Sequence, residues 1–156
     1  MTIQTQAEAF LSQKRIAVVG VSRKGGTGKE ILKALQKRGF EVVPVNPNVS
    51  EVLGQTCYPN VGAIDGGVGA AVIATSPGVT ESVMRDCVDA GVSHVWMHYN
   101  ALFGAKSSSV SQSAADYGRE HGINVIPGGC PLMFGDGADL GHRCMRWWLR
   151  VTKKLP

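Results

Sequence analysis

The chain has 156 residues, of which 44% are apolar and 18% are charged, proportions that indicate a folded globular protein with an ordinary core and exclude a disordered one. The formal net charge of +4 favours an anionic ligand, but the basic residues are scattered without an aromatic-rich stripe, so no nucleic-acid partner is predicted. Without a leader-like N-terminus or an apolar run of membrane-spanning length, a cytoplasmic protein with no membrane partner is expected.

Hydrophobic periodicity and the punctuating glycines and prolines predict an alternation of helices and strands. The predicted helices cover residues 5–14, 28–38, 78–90, 107–121 and 145–151. The predicted strands cover residues 15–20, 41–45, 69–75, 94–97 and 123–126. The run 69–75 is apolar throughout, so this strand is expected to be buried on both faces. The segment that precedes it is predicted to be a polar, glycine-containing connection.

Five short apolar strands alternating with helices are typical of the α/β class. The pattern predicts a Rossmann-like, doubly wound parallel five-stranded sheet in three α/β/α layers, built from right-handed crossovers. One domain over residues 1–156 is expected, with a core at about 15–134 and a C-terminal extension over 135–156. Ligands of such sheets bind at the carboxyl ends of the strands, near the switch in strand order.

The loop that follows the first strand carries the clearest functional signal. The strand stops at Gly20, and a glycine-rich basic stretch with Ser22, Arg23 and Lys24 leads into the next helix. A strand, a glycine loop and a helix in this order direct backbone N–H groups and the positive end of the helix at a phosphate. The pattern therefore predicts a nucleotide-cofactor site, for which three ligand classes compete.

A nicotinamide or flavin dinucleotide is the first class. Its fingerprint needs G-x-G-x-x-G after the first strand and an acidic residue at the end of the second strand, where it binds the ribose hydroxyls. Here Ser22 stands where the second glycine belongs, and Asn46 stands at the end of the second strand. The acidic residue Glu41 lies at the opposite end of that strand, so this class is weakly supported.

A P-loop nucleotide is the second class. The run K-G-G-T-G-K from Lys24 to Lys29 resembles the deviant Walker A loop of partition and septum-site ATPases. Those loops continue with a Thr or Ser whose hydroxyl binds Mg²⁺. Glu30 occupies that position here, and its carboxylate would repel the phosphates. An NAD(P)-binding or degenerate P-loop enzyme is therefore kept as the alternative function.

Coenzyme A is the third class, and it is supported by motifs along most of the chain. These motifs are G-V-S-R at 20–23, P-V-N-P at 44–47, L-G-Q-T-C-Y-P at 53–59, A-V-I-A at 71–74, W-M at 96–97 and G-C-P at 129–131. In this order and spacing they resemble the CoA-binding domain superfamily, which includes the N-terminal domain of the succinyl-CoA synthetase alpha subunit and small stand-alone CoA-binding proteins. The resemblance covers roughly residues 16–134.

The resemblance implies a site for CoA or a short acyl-CoA. The diphosphate would meet the loop after the first strand, the adenosine would lie across the ends of the second and third strands, and the pantetheine arm would run towards the fourth. The residues expected to contact the ligand are Gly20, Val21, Ser22, Arg23, Lys24, Asn46, Pro47, Ala74, Thr75, Ser76, Val79, Met97 and His98. In many relatives a lysine follows the Asn-Pro pair, whereas Asn48 stands there in this chain.

No catalytic or metal centre is predicted. The residues offer no nucleophile–base pair or carboxylate dyad, and neither the cysteines nor the histidines have metal-ligand spacing. Cys57 and Cys130 are expected to be small buried residues with reduced thiols. Trp147 and Trp148 are expected to be partly buried in the core or in a dimer interface. The predicted function is a non-catalytic CoA carrier, sensor or partner subunit, as a possible homodimer or with a partner enzyme.

Overall fold

The computed structural model describes residues 1–100 and 108–152. Its α-helices are α1 Ile3–Leu11, α2 Thr27–Lys37, α3 Pro77–Asp89, α4 Gln112–Glu120 and α5 Leu140–Val151. Its strands are β1 Arg15–Val19, β2 Glu41–Val45, β3 Glu51–Val52, β4 Gln55–Thr56, β5 Ala70–Ile73, β6 His94–Met97 and β7 Asn124–Pro127. Short 3-10 turns occupy Val61–Ala63 and Pro131–Met133.

The main sheet has five parallel strands in the order β2–β1–β5–β6–β7. In register, Ile16 of β1 lies opposite Val42 of β2 on one side and opposite Ala70 of β5 on the other. The chain therefore leaves β1 in one direction to form the edge strand β2 and returns past β1 to form the central strand β5. This arrangement confirms the predicted Rossmann-like parallel sheet and places the switch in strand order between β1 and β5.

Helices cover both faces of the sheet. One buried cluster joins the sheet to α1, α2 and α5 and includes Phe10, Leu32, Trp96 and Leu149. The cluster on the opposite face joins the sheet to α3 and α4 and includes Met84. All four residues of β5 are buried, as expected for a strand with both faces covered. The three-layer α/β/α architecture follows from these two clusters.

A short antiparallel hairpin, β3–β4, interrupts the connection that the sequence predicts to be polar and irregular. The hairpin turns at Leu53 and Gly54, which both have positive φ angles of 53° and 75°. Positive φ at both central residues is the geometry of a tight hairpin turn. Strands of two residues are too short to produce an alternating pattern, so the sequence prediction missed them.

The ends of two helices differ from the predicted ends. Helix α5 begins at Leu140 instead of residue 145, because the Asp139 carboxylate caps it by accepting the backbone N–H of His142 at 3.0 Å. Helix α4 begins at Gln112, where the Ser111 hydroxyl accepts the N–H of Ala114 at 3.3 Å. Residue 107, the predicted start of this helix, lies outside the described residues.

The tryptophans of α5 are also more exposed than predicted. Trp147 is 67% exposed and Trp148 is 43% exposed, whereas Leu149 is the buried residue of the helix. The pair of tryptophans therefore does not belong to the core of this chain. Within the described ranges, no helix combines the length and the apolar character that a membrane crossing requires.

Candidate functional site

A cleft of about 410 Å³ opens at the carboxyl ends of the neighbouring strands β2, β1 and β5. Its floor is formed by residues at these strand ends, including Val19, Val45 and Thr75. One wall is the turn after β2 with Pro47, and the other wall is the exposed side of α3 with Val79. The cleft thus lies at the switch point, where the sheet topology predicts a ligand.

The glycine loop begins at the mouth of this cleft with Gly20, which has a φ angle of +98°. A Cβ atom at this position would lie 2.7 Å from the carbonyl oxygen of Ala74. The loops after β1 and β5 therefore approach each other so closely that only glycine fits. Gly20 is required by the fold itself, whether or not a ligand also approaches its backbone.

Helix α2 packs closely against the same loop at a second glycine, Gly28. A Cβ atom at Gly28 would lie 2.6 Å from the carbonyl oxygen of Gly20 and 3.2 Å from the nitrogen of Val21, both backbone atoms. This contact fixes the N-terminus of α2 beside the end of β1. The first helical N–H groups, from Thr27 to Lys29, have no acceptor within the helix by the geometry of an α-helix. Gly26, the N-cap residue, provides no side chain for them.

Cationic side chains surround this helix end. Arg23 and Lys24 are exposed in the loop, and the Lys29 ammonium donates to the carbonyl oxygen of Arg23 at 2.7 Å. The Ser22 hydroxyl accepts the N–H of Lys24 at 3.2 Å and so shapes the turn. Free helix N–H groups, the helix dipole and nearby cations are together suited to a phosphate or diphosphate.

Asn46, at the end of β2, links the two loops beneath the cleft. Its side-chain amide donates to the carbonyl oxygen of Val21 at 2.7 Å, and its side-chain oxygen accepts the N–H of Asn48 at 2.8 Å. Both ends of the amide are thus used in holding the glycine loop against the turn after β2. This bonding is a structural role, and it is compatible with the contact to a ligand that the sequence predicts.

The predicted ligand-contacting residues fall into three groups. Five of them line the cleft together: Gly20, Asn46, Pro47, Thr75 and Val79. Six lie in the adjoining loops at the same edge of the sheet: Val21, Ser22, Arg23, Lys24, Ala74 and Ser76. The remaining two are Met97, which ends β6, and His98, which follows it, one strand beyond the cleft. The structure brings the first two groups together around the cleft.

Burial limits what some of these residues can contact. The side chains of Val21 and Met97 are fully buried, and His98 is 3% exposed. In this conformation Val21 and Met97 expose no surface to a ligand. The predicted path of a pantetheine arm towards β6 is therefore not open at the side chain of Met97.

The face of α3 that lines the cleft includes one predicted ligand contact, Val79, and three residues that the sequence did not single out. Val79, Ser82, Val83 and Asp86 share this face at the spacing i, i+3, i+4 and i+7. Val79 is 44% exposed, and the buried residues of α3 are Thr80, Met84 and Cys87. The helical spacing was visible in the sequence, but which of the two faces is buried depends on the packing of α4.

Asp86 of α3 joins the α3 wall of the cleft to the neighbouring 3-10 turn. Its carboxylate accepts the N–H of Val61 at 2.6 Å and the N–H of Gly62 at 3.3 Å, and so fixes the 3-10 turn Val61–Ala63. Asn60, which also lines the cleft, caps the same turn by accepting the N–H of Ala63 at 2.8 Å. The cleft therefore has a preformed polar rim on this side.

The acidic residue of β2 takes no part in the cleft. Glu41 begins the strand and pairs with Arg15 at 2.7 Å, at the edge of the sheet opposite the cleft. Asn46 occupies the strand end where a dinucleotide site carries its acidic residue.

In α2, Glu30 pairs with Lys33 at 3.2 Å, on the exposed surface of the helix. Among the described residues, no group of three or more potential metal ligands is found.

The thiols differ in accessibility. Cys57, Cys87 and Cys130 are buried, whereas Cys144 is exposed on α5. Burial raises the pKa of the Cys57 thiol, raises that of Cys130 to about 11 and raises that of Cys87 to about 12. A raised thiol pKa keeps the unreactive neutral form at pH 8, where about one Cys130 thiol in a thousand is ionised.

We expect one rapidly reacting thiol in the folded protein. Titration with a disulfide reagent at pH 8 is expected to modify Cys144 at least about tenfold faster than the three buried cysteines, because Cys144 is exposed and burial raises the pKa of the other three thiols. The variant Cys144→Ser is expected to lack the rapid phase. A rapid phase that persists in this variant would instead identify a reactive thiol at Cys57, Cys87 or Cys130.

Comparison with known proteins identifies relatives with the same fold. The model of the family described as "CoA binding domain" matches residues 14–136. The Bacillus subtilis protein YneT is 33% identical over 124 residues, with 76% of this chain and 83% of that protein aligned. A hypothetical protein from Pyrococcus horikoshii superposes with a TM-score of 0.74 at 27% identity, covering 84% of this chain and 87% of the other.

A longer relative is an ADP-forming acetate–CoA ligase II from Archaeoglobus fulgidus. It is 30% identical over 118 residues, which cover 72% of this chain but only 18% of the ligase. The chain therefore spans a small part of this curated relative.

Proposed function

Because this chain belongs to the CoA-binding domain family, we propose that it binds coenzyme A or a short acyl-CoA through the glycine loop after β1. The role proposed for it is that of a non-catalytic carrier, sensor or partner subunit. A CoA ligand needs phosphate recognition, a place for the nucleoside and an exit for the pantetheine arm. The described residues offer the first two at one edge of the sheet.

The observation that carries the proposal is the uncapped N-terminus of α2. The contact of Gly28 with the backbone of Gly20 fixes this helix end at the mouth of the cleft, and Arg23, Lys24 and Lys29 add positive charge around it. Backbone N–H groups and cations can bind a diphosphate without a metal ion. Ser22 adds a hydroxyl that can donate to the same group.

The size of the cleft is suited to the nucleoside part of CoA. A volume of about 410 Å³ is near the lower limit of small-molecule pockets, which span about 300–1,000 Å³. It accommodates a part of CoA and not the whole molecule. With the diphosphate on the helix end, the adenosine would lie between Pro47 and the apolar side chain of Val79, and the pantetheine arm would leave along the outer edge of the sheet.

The proposed role without catalysis rests on what surrounds the cleft. Among the described residues that line it, no nucleophile lies beside a general base. A domain that presents CoA to a partner enzyme, or reports its acylation, is consistent with this lining.

Calorimetric titration of the purified chain tests the proposal. We expect saturable 1:1 binding of CoA and acetyl-CoA, and no binding of NAD, NADP or Mg·ATP at the same concentrations. The double variant Arg23→Ala, Lys24→Ala is expected to weaken CoA binding by about 10- to 100-fold, since each lost charge-assisted contact to phosphate is worth about 1.5–3 kcal/mol before screening.

A matched control separates the site from overall charge. The double variant Lys33→Ala, Lys37→Ala removes the same charge from exposed positions further along α2. It is expected to keep CoA affinity within about threefold of that of the unmodified protein, because the positions lie about one and a half to three turns from the helix end. Equal weakening in both double variants would contradict the phosphate site proposed here.

A further inference from the structure

We infer that the cleft selects a nucleotide without a phosphate on the 3′-hydroxyl of its ribose, so that 3′-dephospho-CoA binds more tightly than CoA. The inference rests on the proposed function, since it takes the cleft as the nucleoside site. It specifies whether the cleft accepts the nucleoside with or without its 3′-phosphate. The observation behind it is the charge of the residues around the cleft.

The cleft contains a carboxylate and no cation. Among the described residues that line it there is no Lys, Arg or His, and the ionisable residue of the lining is Asp86. The remaining polar residues of the lining are neutral: Asn46, Asn48, Asn60, Thr75 and Ser82. A phosphate monoester, which carries a charge of about −1.5 to −2 at pH 7, finds no counterion there.

The chemistry of the ligand places the 3′ position in this part of the site. The ribose is joined through its 5′-oxygen to the diphosphate, which the proposed function puts at the N-terminus of α2. We therefore place the sugar at the boundary of the loop and the cleft, beside Asn46 and Asn48, with its 3′-oxygen towards the cleft rim. Neutral amides and hydroxyls of this kind suit a free ribose hydroxyl.

The Asp86 carboxylate cannot move away from the cleft without breaking two hydrogen bonds. Its carboxylate oxygens accept the N–H groups of Val61 and Gly62, so the negative charge is fixed at the base of the wall. A second anion brought into the same cleft is repelled by it. Arg23 and Lys24 of the glycine loop and Lys29 of α2 do not line the cleft. They serve the diphosphate that both ligands share.

The test compares calorimetric titrations of CoA and 3′-dephospho-CoA at low and high salt. We expect 3′-dephospho-CoA to bind at least about threefold more tightly at low ionic strength, and the ratio to fall as NaCl is raised to about 1 M, because screening weakens the repulsion. Equal affinities, or tighter binding of CoA, would overturn the inference and leave the proposed function standing. Binding of neither ligand would overturn the proposed function and with it the inference.

Variants identify the residues responsible. Asn48 is exposed and its φ angle is not positive, so its replacement is compatible with the fold. Asn48→Lys is expected to reverse the preference in favour of CoA, whereas the uncharged control Asn48→Gln is expected to keep it. Asp86→Asn is expected to reduce the preference for 3′-dephospho-CoA, and Asp89→Asn, exposed on the same helix, is expected to leave it unchanged. A preference unchanged in both Asn48→Lys and Asp86→Asn would contradict the charge-based origin.

Discussion

Replacing Gly28 by alanine is expected to destabilise the protein and to weaken CoA binding together. In a helix, alanine is ordinarily favoured over glycine by about 1 kcal/mol. Here the new Cβ atom would meet the backbone of Gly20 at 2.6 Å and that of Val21 at 3.2 Å. The backbone of Gly20 and Val21 directly follows the interior strand β1 and cannot move without disturbing the sheet. Helix α2 must therefore shift away from β1.

We expect the free energy of unfolding of Gly28→Ala to fall by about 1–3 kcal/mol, the usual cost of overpacking. CoA affinity is expected to fall at least about tenfold, because a displaced helix end no longer directs its N–H groups at the phosphates. Urea unfolding and calorimetric titration measure the two effects on the same preparation.

The matched control is Gly78→Ala, in the first turn of α3. Apart from its chain neighbours and the backbone of its own helix, no heavy atom of the described residues lies within 4 Å of the Cβ position of Gly78, and its φ angle is not positive. This variant is expected to be as stable as the unmodified protein or more stable, by up to about 1 kcal/mol. If Gly28→Ala were equally stable and bound CoA normally, the close contact between α2 and β1 would not be what positions the phosphate site.

The second large effect is expected at Trp96. Its side chain is fully buried in β6, its indole N–H donates to the carbonyl oxygen of Gly128 at 2.8 Å, and its ring lies 5.4 Å from both the Phe10 and the Phe134 ring. Trp96→Ala is expected to cost about 3–5 kcal/mol of unfolding free energy, because it leaves a cavity and an unpaired carbonyl oxygen. That is a large part of the total for a domain of this size.

Trp147→Ala is the control for this prediction, because Trp147 is 67% exposed. Its unfolding free energy is expected to change by no more than about 0.5 kcal/mol. Urea unfolding followed by circular dichroism compares the two variants without relying on tryptophan fluorescence. A loss at Trp147 as large as that at Trp96 would mean that α5 is buried in solution by a contact outside this chain, as in the dimer interface considered from the sequence.

Much of the site followed from local sequence patterns. The loop from Gly20 to Lys29 predicted a phosphate-binding helix end because turn chemistry and helix geometry depend on neighbouring residues only. Asn46 and Pro47 could be placed at the same edge because parallel strands bring their carboxyl ends together. These parts of the interpretation did not require knowledge of distant contacts.

Other features depend on residues that are distant along the chain. The spacing of Val79 and Val83 on α3 indicated a helix, but only packing against the sheet and α4 decides that Met84 faces inwards and Val79 faces the cleft. The role of Asp86 depends on the 3-10 turn at Val61, which lies 25 residues earlier. The exposure of Trp147 likewise depends on which face of α5 meets the core.

The sequence by itself determined the parallel α/β sheet and the glycine loop, because periodicity, turn residues and helix ends are local properties. Only the tertiary structure decided that Gly20 and Gly28 are required by backbone contacts, that the side chain of Met97 is closed to a ligand, and that Asp86 is the charge in the cleft. These features are contacts between strand ends, loops and a helix face that are distant along the chain, so the sequence of any one segment does not predict them.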